Sequence, residues 1–338
     1  MEKFLTSLIN IDSTSGSENS AADELINNFS PEGASLKIIP SPEGRKSLFY
    51  TWGEPKIIFC THFDCVPPFI PASSANGKIF GRGACDAKGQ VTVMAEVCRL
   101  LNLNGFSGFG LLLLAGEEDG SHGAKAANKV IKNSRFVIIG EPTENKLISA
   151  SKGNILFEVI FKGKPAHSGY PHLGVDSVKM FHDFLSALYR LDFPNDDLLG
   201  DTTFNVSGLN SANASNVVPF HLSCKIFFRT TFASHHLIEP MLRSLLNDSV
   251  SCEILYSDFP MNFHTLPGFQ TGVVAYGCDA PELTNLGTPL LFGPGSIHNA
   301  HTPGEFISIE DMKSAVSTLT KIFHTLQNEI KNNELSPK

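Results

Sequence analysis

The stretch Ile57-Ile58-Phe59-Cys60-Thr61-His62-Phe63-Asp64 limits the fold most, because an apolar run ends abruptly in a histidine and a carboxylate two residues apart. A short continuous apolar run reads as a strand buried on both faces. Strand side chains alternate sides, so His62 and Asp64 point one way and Phe63 the other. Such a strand delivers polar chemistry at its tip. Taken alone, the pair reads more readily as a strand end whose two polar groups satisfy each other, and the segments downstream change that balance.

Two further runs of this kind are Leu111-Leu112-Leu113-Leu114-Ala115 and Phe136-Val137-Ile138-Ile139-Gly140, separated by a helical segment at 122–132. Before them, helical spacing runs over 90–103 through Val91, Met94, Val97, Cys98 and Leu101. Nearer the start, helices are predicted at 2–11 and 20–29, strands at 36–40 and 47–52, and a Pro/Ser/Ala-rich loop at 66–77. This alternation predicts an α/β fold with a mainly parallel sheet and helices on both faces, in which sites collect beyond the carboxyl ends of the strands. The texture changes near Lys152-Gly153. A strand at 154–162, a helix at 174–191 and strands near 202–208, 220–230 and 251–258 read as an inserted α+β domain. Short strands return after 263, and a helix at 309–330 closes the chain. With 338 residues there is length for two domains, one of 1–153 and 263–338, interrupted by one of 154–262.

Composition excludes several classes. A net charge of −8 argues against nucleic acid or anionic membranes, and a small-molecule partner fits better. Met1-Glu2-Lys3-Phe4 lacks the basic and apolar parts of a signal peptide, and no apolar run nears the roughly 18 residues of a membrane span, so a cytoplasmic protein is expected. Seven scattered cysteines without a Cys-x-x-Cys pair indicate neither a disulfide framework nor a zinc knuckle.

Polar residues recur where the predicted strands end. Asp86 lies in a glycine-rich turn at 81–89 just before a helix; Glu117 and Glu118 follow the leucine strand; Glu141 follows the next strand; His301 sits in a late loop. Each has an ordinary explanation as a helix cap, an exposed pair or a solvated strand end. Together they would repel at one edge unless cations neutralised them, and mixed His, Asp and Glu ligands suit zinc, or cobalt and manganese as substitutes.

Thr61-His62-Phe63-Asp64-Cys65-Val66-Pro67, the 81–89 turn, Gly116-Glu117-Glu118-Asp119-Gly120, Gly140-Glu141-Pro142-Thr143 and His301-Thr302-Pro303-Gly304-Glu305-Phe306 resemble, in order, the motifs of a two-zinc metallopeptidase family. That family contains acetylornithine deacetylase, succinyl-diaminopimelate desuccinylase, aminoacylase and glutamate carboxypeptidase. The resemblance implies two zinc ions, with His62 and Glu141 on one, Glu118 and His301 on the other, and Asp86 on both. It implies that Asp64 grips the free ring nitrogen of His62 and that Glu117 is the general base. Pro165-Ala166-His167-Ser168-Gly169 resembles the motif whose histidine stabilises the oxyanion, often across a dimer, which makes the insert a lid or dimerisation domain. Asn216, in Asn213-Ala214-Ser215-Asn216, and Arg229 resemble the clamp on the substrate carboxylate, with Gly295 and Ser296 as backbone donors opposite. The loop between Val66 and Gly81 is shorter than in many relatives, and Ala87 stands where methionine is common. His122, His172, His298 and the pair His235-His236 match nothing and are expected at surface or packing positions.

The activity implied is hydrolysis of the amide of an N-acyl amino acid or short peptide, closest in look to acetylornithine deacetylase. A desuccinylase and a dipeptidase or carboxypeptidase compete within the class. A non-catalytic amino-acid-binding protein on the same fold would have lost Glu117 or a ligand, and all are present.

Overall fold

In the computed structural model, which describes residues 1–335, helices form where apolar residues recur at helical spacing. The first two, α1 (Glu2–Ile9) and α2 (Asn19–Asn28), bury Leu5, Leu8 and Ile9, and Ala21, Ala22 and Leu25. Strands β1 (Ser35–Pro40), β2 (Lys46–Trp52) and β3 (Ile57–His62) follow, then a small hairpin of β4 (Ser73–Ala75) and β5 (Lys78–Phe80). Next come α3 (Lys88–Leu103), β6 (Phe109–Leu114), α4 (His122–Val130), β7 (Phe136–Ile139) and β8 (Leu147–Ser151). A second group comprises β9 (Gly153–Lys162), α5 (Ser177–Leu188), β10 (Thr203–Asn210), β11 (His221–Thr230), α6 (His235–Arg243), β12 (Val250–Asp258) and the short β13 (Met261–Asn262). The chain ends with β14 (Thr271–Val274), β15 (Thr288–Leu291), β16 (Phe306–Ser308) and α7 (Ile309–Leu335).

The main sheet has the order β1-β2-β6-β3-β7-β15. Strands β6, β3, β7 and β15 run parallel, and β2 and β1 extend the sheet by antiparallel pairing. Every residue of β3 and β6 is buried, because both faces are covered, and this is why those segments read as unbroken apolar runs. Phe59, Leu111, Leu113, Tyr50 and Trp52 share a core with α1, α2, α3 and α7, while α4 packs on β1 and β2. Because β3, β6 and β7 are parallel, their carboxyl ends finish at one edge. In register, His62 stands opposite Leu114.

One compact unit comprises Met1–Ser149, Phe263–Gly272 and the chain from Cys278 on, and the other comprises Ala150–Asn262 and Val273–Gly277. Against sequence boundaries at 153/154 and 262/263, the second unit thus starts slightly earlier and takes in residues 273–277; residues 336–338 of the sequence-defined first domain lie outside the described residues. The second unit is built on an antiparallel sheet, β10-β11-β9-β12. Its core of Phe157, Phe161, Leu222, Ile226 and Phe228 is covered by Phe184 and Leu188 of α5 and Ile238 and Leu242 of α6.

Some local expectations are corrected. The loop at 66–77 contains a strand, since Asn76 (φ 51°) and Gly77 (φ 72°) turn the β4–β5 hairpin, an Asn-Gly signal hidden in a Ser/Ala-rich stretch. Helix α5 starts at Ser177, where the side chain of Asp176 accepts hydrogen bonds from the amides of Val178 (2.8 Å) and Lys179 (3.2 Å). Helix α6 and strand β8 went unread: α6 carries Pro240 inside it and is too short for a clear period. His235, at its start, is a packing residue, buried with Nδ1 2.7 Å from the Thr230 hydroxyl and its ring 4.2 Å from that of Phe259. Among the described residues no helix is long and apolar enough to cross a membrane.

Candidate metal centre

His62 is the last residue of β3, Glu141 lies two residues past β7, Glu117 and Glu118 three and four past β6, and Asp86 two before α3. All reach the edge where the parallel strands end, and His301 joins them from the loop between β15 and β16. Asp86 is common to two sets of donors. His62, Asp86 and Glu141 form one, buried throughout; Asp86, Glu118 and His301 form the other, which opens to solvent through His301. One Asp86 oxygen lies 3.1 Å from His62 Nε2, and the other 3.4 Å from His301 Nε2. Glu141 Oε1 is 3.9 Å from His62 Nε2, and Glu118 Oε1 is 3.0 Å from His301 Nε2.

Phe63 turns into the core while His62 and Asp64 face the site, as strand alternation requires. Asp64 does more than face His62. Its Oδ1 accepts from the amide of Glu117 (3.0 Å), and its Oδ2 from the amide of Glu118 (3.2 Å) and the hydroxyl of Ser15 (2.8 Å). This fully buried carboxylate therefore holds the backbone of both glutamates. Toward His62 Nδ1 the nearer acceptor is the main-chain carbonyl of Asp64 at 3.1 Å, with Oδ1 at 3.5 Å. Both acceptors call for the proton on Nδ1, which leaves Nε2 to face Asp86 and Glu141.

The electrostatics ask for positive charge. Burial works against an imidazolium at His62, yet Asp64 and Asp86 hold its pKa well above the ordinary value. Asp86 and Glu118 push His301 up to about 10. Glu117 and Glu141 are driven well up, first by burial and then by the carboxylates around them. Both His Nε2 atoms meet carboxylate oxygens, and the acidic groups outnumber the imidazoles. Four donors at about 2.0–2.2 Å from a tetrahedral zinc lie roughly 3.3 Å apart, and the 3.0–3.9 Å separations bracket that spacing. The residues present fit two zinc ions, with Asp86 between them.

The other sequence-derived residues are placed as follows. In the second unit, the amide of Gly169 donates to His167 Nδ1 (3.0 Å), so the neutral ring carries its proton on Nε2. His167 pairs with Val217 as an isolated bridge, and the Ser168 amide donates to the Asn216 carbonyl (3.0 Å), which brings His167 and Asn216 side by side. Arg229, on β11, donates to Asn154 Oδ1 (2.5 Å) with its guanidinium 4.5 Å from the Phe227 ring centroid, so the fork is already oriented. In the first unit, Gly295 has φ 81°, and a Cβ there would lie 2.6 Å from Cys85 Sγ, so only glycine fits. The Ser296 hydroxyl donates to Glu144 (2.9 Å). Nearby, the Gly293 amide donates to the Thr143 hydroxyl (2.9 Å).

Sequence reasoning missed several groups. Ser15, in the Ser/Gly-rich turn at 13–17, supports Asp64 through its hydroxyl. Asp279, buried and pushed up to about 6 by that burial, has an oxygen without a hydrogen-bond partner beside this carboxylate cluster, and nothing in Gly277-Cys278-Asp279-Ala280 signals it. Arg82 and Glu305 form a buried ion pair. Their signal was present, since two charged residues sit inside otherwise glycine- and proline-rich motifs.

The profile of Peptidase family M20/M25/M40 matches residues 58–325. An M20 peptidase domain-containing protein of Schizosaccharomyces pombe is 32% identical over 325 residues, covering 90% of this chain and 80% of its own. A protein of Aspergillus terreus named a probable carboxypeptidase is 32% identical over 369 residues, covering 94% and 84%. Among solved structures, a tripeptidase from Staphylococcus aureus is similar with a TM-score of 0.78 at 20% identity, over 95% of this chain and 96% of its own. An M20 family metallo-carboxypeptidase from Sulfolobus solfataricus has a TM-score of 0.74 at 16% identity, over 94% and 97%. At those identities the structural likeness is one of fold.

Proposed function

Because the chain belongs to peptidase family M20/M25/M40, we propose that it hydrolyses the amide of a short peptide or N-acyl amino acid, using two metal ions held around Asp86. The observation that carries this reading is the sharing of Asp86 between two donor sets, beside a Glu117 that belongs to neither. His62 and Glu141 would hold one zinc, Glu118 and His301 the other, with Co²⁺ or Mn²⁺ able to substitute. When bound, such a pair polarises a carbonyl and makes water acidic enough to attack near neutral pH. Asp64 keeps His62 turned to the site and the Glu117 backbone in place. The Glu117 carboxylate takes the proton of the attacking water and returns it to the leaving amine. His167, protonated on Nε2, donates a hydrogen bond to the oxyanion, and Arg229 with Asn216 grips the free carboxylate next to the scissile amide.

Among substrates, the relatives named probable carboxypeptidases favour a peptide, and we take that reading first. The acetylornithine deacetylase-like form, which the sequence motifs favour, uses the same machinery on a small acyl group. We place the enzyme in the cytoplasm, where its seven free thiols stay reduced, and propose a homodimer formed through residues 154–262.

The test is a metal and substrate panel. Two zinc ions per chain are expected, with activity lost to a chelator and restored by Zn²⁺, Co²⁺ or Mn²⁺. Peptides and acyl amino acids with a free carboxylate should be cut, and their C-terminal amides spared. Full activity after removal of all metal would sink the proposal. Two substitutions should separate chemistry from binding. His167→Ala lowers kcat about 10²- to 10³-fold with metal content unchanged, because its hydrogen bond strengthens in the transition state. Arg229→Lys raises KM roughly tenfold and leaves kcat nearer wild type, since an ammonium cannot reproduce a two-pronged grip. Steady-state kinetics on both variants checks this, and an unchanged KM for Arg229→Lys would remove Arg229 from the carboxylate clamp.

A further inference from the structure

We propose that Glu305 is a positioning residue which, with Arg82, ties the loop of Asp86 to the loop of His301 and so sets the Asp86/Glu118/His301 half of the site. The inference rests on the two-ion reading above.

The Glu305 carboxylate is buried, and so is the Arg82 guanidinium beside it. One oxygen, Oε2, accepts from Arg82 Nη1 at 2.5 Å. The other, Oε1, accepts from two successive main-chain amides, Cys85 (3.0 Å) and Asp86 (3.1 Å). The Glu305 carbonyl in turn accepts from the amide of Gly81 (3.0 Å), and Arg82 donates to the carbonyls of Thr302 (3.3 Å) and Pro68 (3.4 Å). One carboxylate thereby fixes the main chain at Asp86 from a position only four residues beyond His301.

Burying an ion pair is seldom a route to net stability, since desolvation offsets much of the attraction. What it provides here is order where the fold supplies little. His62 and Glu141 are carried by adjacent buried strands of the parallel sheet, with the Gly140 amide bonded to the Cys60 carbonyl at 2.8 Å. His301 sits in an irregular loop in a left-handed conformation (φ 62°), with its side chain 48% exposed. The two loops are joined at their bases by the short β5–β16 pairing, with Phe80 opposite Phe306, and beyond it the Glu305 carboxylate carries the tie on to Asp86. The first half of the site is held by the main sheet, and the second half by this short pairing and the clamp.

The experiment is a Co²⁺ titration of the folded, metal-stripped protein, followed by absorbance and calorimetry, with melting of the metal-free protein measured in parallel. Three variants are compared with wild type. Glu305→Gln removes the charge. Glu305→Asp keeps the charge but is one methylene too short to span both loops. Arg82→Met/Glu305→Leu removes the pair without leaving a lone buried charge, and carries the test if either single variant fails to fold. Wild type should bind two ions in distinguishable steps. Each variant should weaken the weaker step about 10- to 100-fold, the range seen when hydrogen-bonded supports of metal ligands are removed, and leave the tighter step within about threefold. Loss in Glu305→Asp as well as in Glu305→Gln shows that reach matters and not charge alone. A lower melting temperature with both binding steps unchanged would mean a merely structural pair and would overturn the inference. So would equal weakening of both steps. If wild type itself binds fewer than two ions, the two-ion reading fails first, and that result is separate from the other two.

Discussion

Glu117→Ala is expected to abolish turnover while both metal ions stay bound. Glu117 belongs to neither donor set, so its loss removes a proton carrier and no ligand. Its backbone should stay in place, because the Glu117 amide remains bonded to Asp64 Oδ1. Removing a general base commonly costs about 10²- to 10⁴-fold in rate. Assigned to kcat, with metal content read by elemental analysis, that pattern separates Glu117 from its neighbour. Glu118→Ala should lower metal content instead, through the set shared with His301. If Glu117→Ala lost an ion and Glu118→Ala kept both, the two roles would have to be exchanged.

Asp86→Ala should have the largest effect on metal itself. Its oxygens face His62 and His301 separately, so one substitution takes a ligand and a negative charge from both sets. Three carboxylates then fall to two among the five candidate ligands. Affinity for both ions should drop by at least about 100-fold, beyond the effect of altering an outer support. By contrast, His301→Ala should chiefly affect one ion, since that side chain is exposed and belongs to one set. Retention of two tightly bound ions by Asp86→Ala would rule out a shared ligand and leave two independent sites or none.

Much of the centre could be read locally, and the reason is periodicity. The continuous apolar segments of β3, β6 and β7 are long enough to identify as strands buried on both faces, and the residues just past them are then known to share an edge. Period two in β3 also separates Phe63, in the core, from His62 and Asp64. Where the period was short or interrupted, reading failed. Helix α6 has nine residues with a proline inside, and the β4–β5 hairpin has only three residues a side. Asp64 was seen only through its two-residue distance to His62, and its larger task, holding the amides of Glu117 and Glu118, went unseen because those partners lie 53 and 54 residues away.

What the sequence determined by itself was therefore the set of strand ends and the residue types placed on them: alternation and burial act within a few residues, so they leave a local trace. Which oxygen of Asp86 faces which histidine, and what holds each loop still, were decided only in the tertiary structure. Glu305 reaches Cys85 and Asp86 across 220 and 219 residues, and Ser15 reaches Asp64 across 49. A hydrogen bond is short-ranged and directional, so it comes into being only when folding has brought donor and acceptor within about 3 Å. Glycine-rich turns and a buried charge mark where such bonds are needed, but the partner is chosen by the packing of the whole sheet edge.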